Sequence, residues 1–120
     1  MPEQSSLKIE ESEGVTVVSF REASILDTLT AQRVGRQLYD LVESPGKTRV
    51  VLDFEHVRFL SSQTLGVLLT LKRKADKAGV RIALARVRPE LTRVFEITNL
   101  SKLFGFFATR EEAIASLSAP

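Results

Sequence analysis

The chain has 120 residues, 43% of them hydrophobic, with 17 basic and 15 acidic side chains and a net charge of +2. That length suits one domain, with enough apolar residues for a real core, and so slight a charge excess implies no basic surface of the size that nucleic acid needs. There is no cysteine, which excludes disulfides, zinc thiolate sites and thiol catalysis.

The opening MPEQSSLKIEESEG is polar and acidic, unlike a signal peptide, and the longest apolar runs are strand-sized, so no membrane insertion is expected. A soluble cytoplasmic protein is the expectation. Leu7 to Ile9 and Val15 to Phe20 read as two strands of a hairpin, with Gly14 supplying the positive φ of the turn. In the following REASILDTLT, Asp27, Thr28 and Thr30 are candidate helix N-caps. Ala31, Val34, Leu38, Leu41 and Val42 then fall on one helical stripe, which Pro45 and Gly46 terminate.

TRVVLDF reads as a strand apolar on both faces, and so as a central one. A second helix is expected over Ser62 to Ala78, with Leu65, Leu68, Leu69, Ala75 and Ala78 inward and Gly79 as C-cap. VRIALARV is a further strand, and Pro89 opens a third helix carrying Leu91, Val94, Phe95 and Ile97, with Asn99 left-handed beyond it. LFGFFA is a last short extended segment. TREE is a capping box, with Thr109 as N-cap and Glu112 at the third helical position, and starts a final helix. The order β-β-α-β-α-β-α-β-α predicts an α/β fold with a mixed, mostly parallel sheet and about four helices. Val51, Leu52, Leu65, Leu68, Leu69, Ile82, Leu84 and Val94 are the expected core.

Asp53, His56 and Ser61 or Ser62 lie within ten positions of one another, but a Ser-His-Asp triad is a spatial arrangement, and no G-x-S-x-G elbow accompanies them. A loop histidine is the better reading, and no catalytic residue is assigned. No phosphate-binding glycine loop and no metal-ligand spacing occur, so neither cofactor nor metal is expected. The stretch FLSSQTLG places two serines where the central strand hands over to the second helix. By itself this is an N-cap.

Three pieces of the sequence, in order, resemble a STAS domain of the anti-sigma factor antagonist family: SILDTLTA, VVLDFEHVRFLSSQTLGVLL and ITNLSKLFGFFATREEAIASL. The resemblance runs from about Leu7 to Leu117, within a single domain over residues 1–120. Asp53 matches the family's strand-end Asp, Ser62 the serine that a partner kinase phosphorylates, and Gly66 the Gly of Leu-Gly. Ser61 stands where the family has Asp, and Gln63 and Thr64 stand where it has Ser-Gly. The resemblance implies a non-enzymatic switch in a bacterial cytoplasm. The unmodified protein binds an anti-sigma factor serine kinase and thereby frees a sigma factor; phosphorylation breaks the complex. Ser62 is then the modified residue, ahead of Ser61 or Thr64, and Asp27, Asp53, Ser61, Ser62, Gln63 and Thr64 form the partner surface. The alternative implied by the missing Asp is a non-phosphorylated STAS adaptor in a sensor complex or beside a transporter.

Overall fold

The structure is a computed structural model and describes residues 7–20 and 28–118, with side chains from residue 31 onward in the first helix. Strand β1 (Leu7–Ser12) turns into β2 (Val15–Phe20) through Glu13 and Gly14, at φ 53° and 79°. Two consecutive positive φ values make the two-residue turn whose twist matches antiparallel strands. Helix α1 (Thr28–Glu43), strand β3 (Arg49–Asp53), helix α2 (Ser62–Ala78), strand β4 (Arg81–Ala85), helix α3 (Pro89–Ile97), strand β5 (Gly105–Phe107) and helix α4 (Arg110–Ser118) follow, with a short 3-10 turn at Leu100–Lys102.

The five strands lie side by side in chain order. β1 and β2 are antiparallel; β2, β3, β4 and β5 are parallel neighbours. β3 is therefore central, as its two-faced apolar sequence predicts. Side chains alternate along a strand, and the alternation divides the core. Val50 and Leu52 of β3 join Val18, Leu84 and the apolar faces of α1, α2 and α3 in one cluster. Val51 joins Val15, Val17, Ala83 and Ala85 beneath Ala113, Ile114 and Leu117 of α4 in the other. Asp53 is two residues beyond Val51 and so belongs to the α4 face.

The expected stripe of α1 is buried throughout, from Ala31 to Val42. α1 begins at Thr28, which bears on two of its three candidate caps. Thr28 and Thr30 lie inside the helix and so are not its caps, while Asp27 lies outside the described residues. α2 has the expected limits, with Gly79 left-handed at its end, but its buried line is Thr64, Val67, Leu68, Leu71 and Ala75. Leu65 and Leu69 are half-buried, and Ala78 is exposed. The helix is turned by about one position because it packs on α1 as well as on the sheet. A Cβ added to Gly35 of α1 would lie 3.1 and 3.2 Å from the two Cγ atoms of Val67, so the helices approach closely there. Val51, Leu52, Leu68 and Leu84 are fully buried. Ile82 and Val94 are half-buried, and Ile97, on the outer flank of α3, is exposed. Asn99 is left-handed past α3 as predicted.

Candidate functional site

After Asp53 the chain leaves the sheet and reaches α2 through residues 54–61. Two buried side chains, Phe54 and Val57, pin this connection to the core. The Phe54 amide donates to the Ala85 carbonyl at 2.9 Å and the Val57 amide to the Phe54 carbonyl at 3.0 Å. The Glu55 amide donates to Asp53 Oδ1 at 3.1 Å. The turn is thus fixed by its own backbone and by the Asp53 carboxylate.

Ser61 is the N-cap of α2. Its backbone is extended, and its Oγ accepts from the Thr64 amide at 3.2 Å. Its hydroxyl also lies 3.1 Å from Thr64 Oγ1. Ser62 is the first helical residue, and both it and Gln63 are exposed. Thr64 is buried. Ser62 therefore stands in open solvent at the end of a helix whose first amides have no partner within the helix. That end carries a partial positive charge and favours an anion.

Asp53 is also buried, at 1% exposure. Arg86 donates from Nε to Oδ1 at 3.1 Å and from Nη2 to Oδ2. Arg110 donates from Nε and Nη2 to Oδ2 at 3.0 and 2.8 Å. Arg110 also reaches Glu10 Oε1 of β1 at 3.0 Å, and Arg86 lies 3.0 Å from Glu55 Oε1. Burial acts to raise the Asp53 pKa, but the hydrogen bonds from Arg86, Arg110 and the Glu55 amide outweigh it and hold the carboxyl below its ordinary value. Both arginines are held the more firmly as cations by the same contact. Asp53 is thus an ionised anchor joining β3, the end of β4 and the start of α4.

This geometry sorts the candidate residues. Ser61, Ser62 and Gln63 lie together on the helix end. Asp53 and Thr64 offer no surface to a partner: Asp53 points to the α4 face of the sheet, where its oxygens are taken by two guanidinium groups, and Thr64 is turned inward at the start of α2 to complete the cap. His56 is exposed, with Nε2 3.5 Å from Glu55 Oε1, so no histidine is oriented by Asp53 and no proton relay to a serine is formed. Among the described residues no cluster of three or more His, Asp or Glu side chains is placed to hold a metal ion, and no helix is long and apolar enough to cross a membrane.

Arg86, Arg110 and Glu10 were not singled out by the sequence reading. Arg110 did carry a signal. A cation in the first turn of a helix opposes the helix dipole, so an arginine directly after an N-cap threonine calls for a carboxylate elsewhere. Arg86 has φ 57° although it is not glycine, a feature visible only in the backbone.

The model of the STAS domain family matches residues 6–113. The chain belongs to that family. A relative from Paenibacillus polymyxa, "Anti-sigma F factor antagonist", is 24% identical over 111 residues, covering 92% of this chain and 93% of that protein. Among solved structures, a STAS domain protein from Planctomyces limnophilus superposes with a TM-score of 0.83 at 19% identity, over 94% of this chain and 98% of that one. The phosphorylated form of the Bacillus cell fate determinant SpoIIAA superposes with a TM-score of 0.71 at 22% identity, over 92% and 97%. These structural likenesses establish the STAS fold for this chain.

Proposed function

We propose that this STAS domain is an anti-sigma factor antagonist, switched by phosphorylation of Ser62. In its unmodified form it binds an anti-sigma factor that is also a serine kinase, and so releases a sigma factor in the cytoplasm of a bacterium. The observation that carries the reading is the division of labour between two adjacent serines. Ser61 is committed to capping α2, which leaves Ser62 exposed at the first helical position with no structural task. The relative named as an anti-sigma F factor antagonist, matched over nearly its whole length, supports the same reading.

The physics of the switch is simple. A phosphate brings about −1.5 to −2 charges at neutral pH. On Ser62 it meets the positive end of α2, so the domain stays folded around it. In a closely packed interface the same group has to be desolvated and repels carboxylates. Loss of the partner then needs no change of fold.

The test begins with a kinase recovered by affinity capture from native lysate. Wild type, Ser62→Ala and Ser62→Asp are incubated with it and ATP, and phosphate is mapped by mass spectrometry. The expected result is phosphate on Ser62 alone, capture of the kinase by Ser62→Ala, and none by Ser62→Asp. Phosphate on Ser61 or Thr64 with Ser62 untouched overturns the assignment. No phosphate with an active kinase present favours the non-phosphorylated adaptor.

A further inference from the structure

Upstream of the serine turn lies an open groove of about 320 Å³, lined by Arg58, Phe59, Leu60, Arg88, Glu90, Leu91 and Val94. It separates the loop that leads into α2 from the first two turns of α3. Two observations distinguish it.

The first is exposed apolar surface. Phe59 is 63% exposed and Ile97 74%; among the described residues the other large exposed hydrophobic side chain is Ile9, on the edge strand. Ile97 lies three positions beyond Val94 on α3, so it continues the apolar wall of the groove by one helical turn. Phe59 lines the groove and Ile97 stands one helical turn beyond Val94 of its wall, and exposed apolar side chains grouped in this way are more telling than the same residues scattered.

The second is unmatched positive charge. Among the described residues neither Arg58 nor Arg88 has a carboxylate partner, and Arg88 Nε is closed off from solvent without an acceptor. The partly buried arginines on the other side of the sheet, Arg86 and Arg110, both have carboxylates. Glu90 also lines the groove, but it sits in the first turn of α3, where the positive helix end offsets its charge.

We propose that this groove docks a segment of a partner protein that presents a large apolar side chain next to Asp or Glu. The apolar side chain would cover Phe59, Val94 and Ile97, and the carboxylate would take the guanidinium forks of Arg58 and Arg88, whose planar geometry suits a carboxylate. The proposal deepens the reading above and rests on it for the identity of the partner. It also supplies a reason for release. The groove ends at Leu60, two residues before Ser62, so a phosphate there puts negative charge on the rim of a surface that receives carboxylates.

The test uses a random-sequence peptide-display library, selected on wild type and counter-selected on the double variant Arg58→Glu/Arg88→Glu. Enriched peptides should pair Leu, Ile or Phe with Asp or Glu. They should shift the amide resonances of residues 58–60, 94 and 97, and bind the double variant at least about tenfold more weakly. Ile97→Lys, at an exposed position, should weaken them too and keeps the test open should the double variant not fold. Enrichment without acidic residues, or binding that survives both sets of changes, overturns the proposal. So does binding to vesicles containing phosphatidylserine that the double variant loses and the peptides cannot compete. A kinase that phosphorylates Ser62 equally well in wild type and double variant overturns the groove's role and leaves the switch standing. Peptides that dock as described on a chain that no kinase modifies support the groove and remove the switch.

Discussion

At the scale of single residues, Ser61 and Ser62 should separate cleanly. Ser61→Ala removes the acceptor for the Thr64 amide and should cost about 1 kcal/mol in chemical denaturation. Ser62→Ala should cost less, and Ser62→Asp should stabilise by about 0.3–1 kcal/mol through the helix end. The two helical glycines make a second pair. Gly66 is exposed within α2, and an added Cβ there meets nothing within 4 Å, whereas at Gly35 it meets Val67 at 3.1 Å. Gly66→Ala should raise stability by about 0.5–1 kcal/mol. Gly35→Ala should lower it, because the Val67 side chain must give way where α1 and α2 touch. Thermal melts of the two variants should move in opposite directions; equal shifts would mean that the helix contact is looser than described. The cap was legible in the sequence because capping acts across three residues. The role of Asp53 was only half legible: the strand end was clear, but its partners are 33 and 57 positions away.

Among the elements, α4 depends most on its surroundings. It has nine residues, fewer than the ~12–15 that an isolated helix needs to be even marginally stable. Ala113, Ile114 and Leu117 hold it on the sheet, and Arg110 ties its first turn to Asp53 and Glu10. Its Thr109 cap forms as predicted, with the Glu112 amide donating to Thr109 Oγ1 at 3.0 Å, but the Glu112 carboxylate reaches back to the Ala108 amide, one residue earlier than the usual reciprocal bond. Asp53→Ala leaves two partly exposed arginines without their shared carboxylate and should cost about 2–4 kcal/mol, less than a fully buried pair would because water reaches both guanidinium groups. Hydrogen exchange should report faster opening in two places in that variant, α4 and the connection at residues 54–61. Acceleration confined to one of them would mean that Asp53 does not couple the two. The offset in the buried line of α2 has a related cause. Periodicity shows that a helix has an inner face, but the second surface it meets, here α1, is set by the topology.

For the whole molecule, the strand order follows the chain order, and the sequence made this readable. Alternating elements with short connections leave few ways to build a parallel sheet, and the two-faced apolar β3 marks its centre. The two clusters are unequal, with three helices over one face and α4 alone over the other, a division that depends on which way each connection crosses. The buried anchor gives the molecule an acid-sensitive component. Asp53 has a folded-state pKa below the 3.8 of a free carboxyl, so the folded chain binds fewer protons than the unfolded one in that interval. Its contribution is fully present above about pH 4 and is lost as pH falls through the lower, folded value. Urea denaturation of wild type and Asp53→Asn across this range should converge towards acid. A gap that does not narrow at all as pH falls from neutral into acid would mean that Asp53 titrates alike in the folded and unfolded protein.

Glu10 and Arg110 meet across 100 positions of sequence, and Asp53 waits for the same arginine across 57. On a ribosome, the strands β1 to β3 and the helix bearing Ser62 emerge long before α4. During that interval the Asp53 carboxylate lacks one of its two arginines, and the connection into α2 lacks part of its anchorage. The final geometry of the serine turn is therefore complete only after Arg110 has cleared the exit tunnel. A nascent chain cannot present the completed turn to a partner before Arg110 has emerged to meet Asp53.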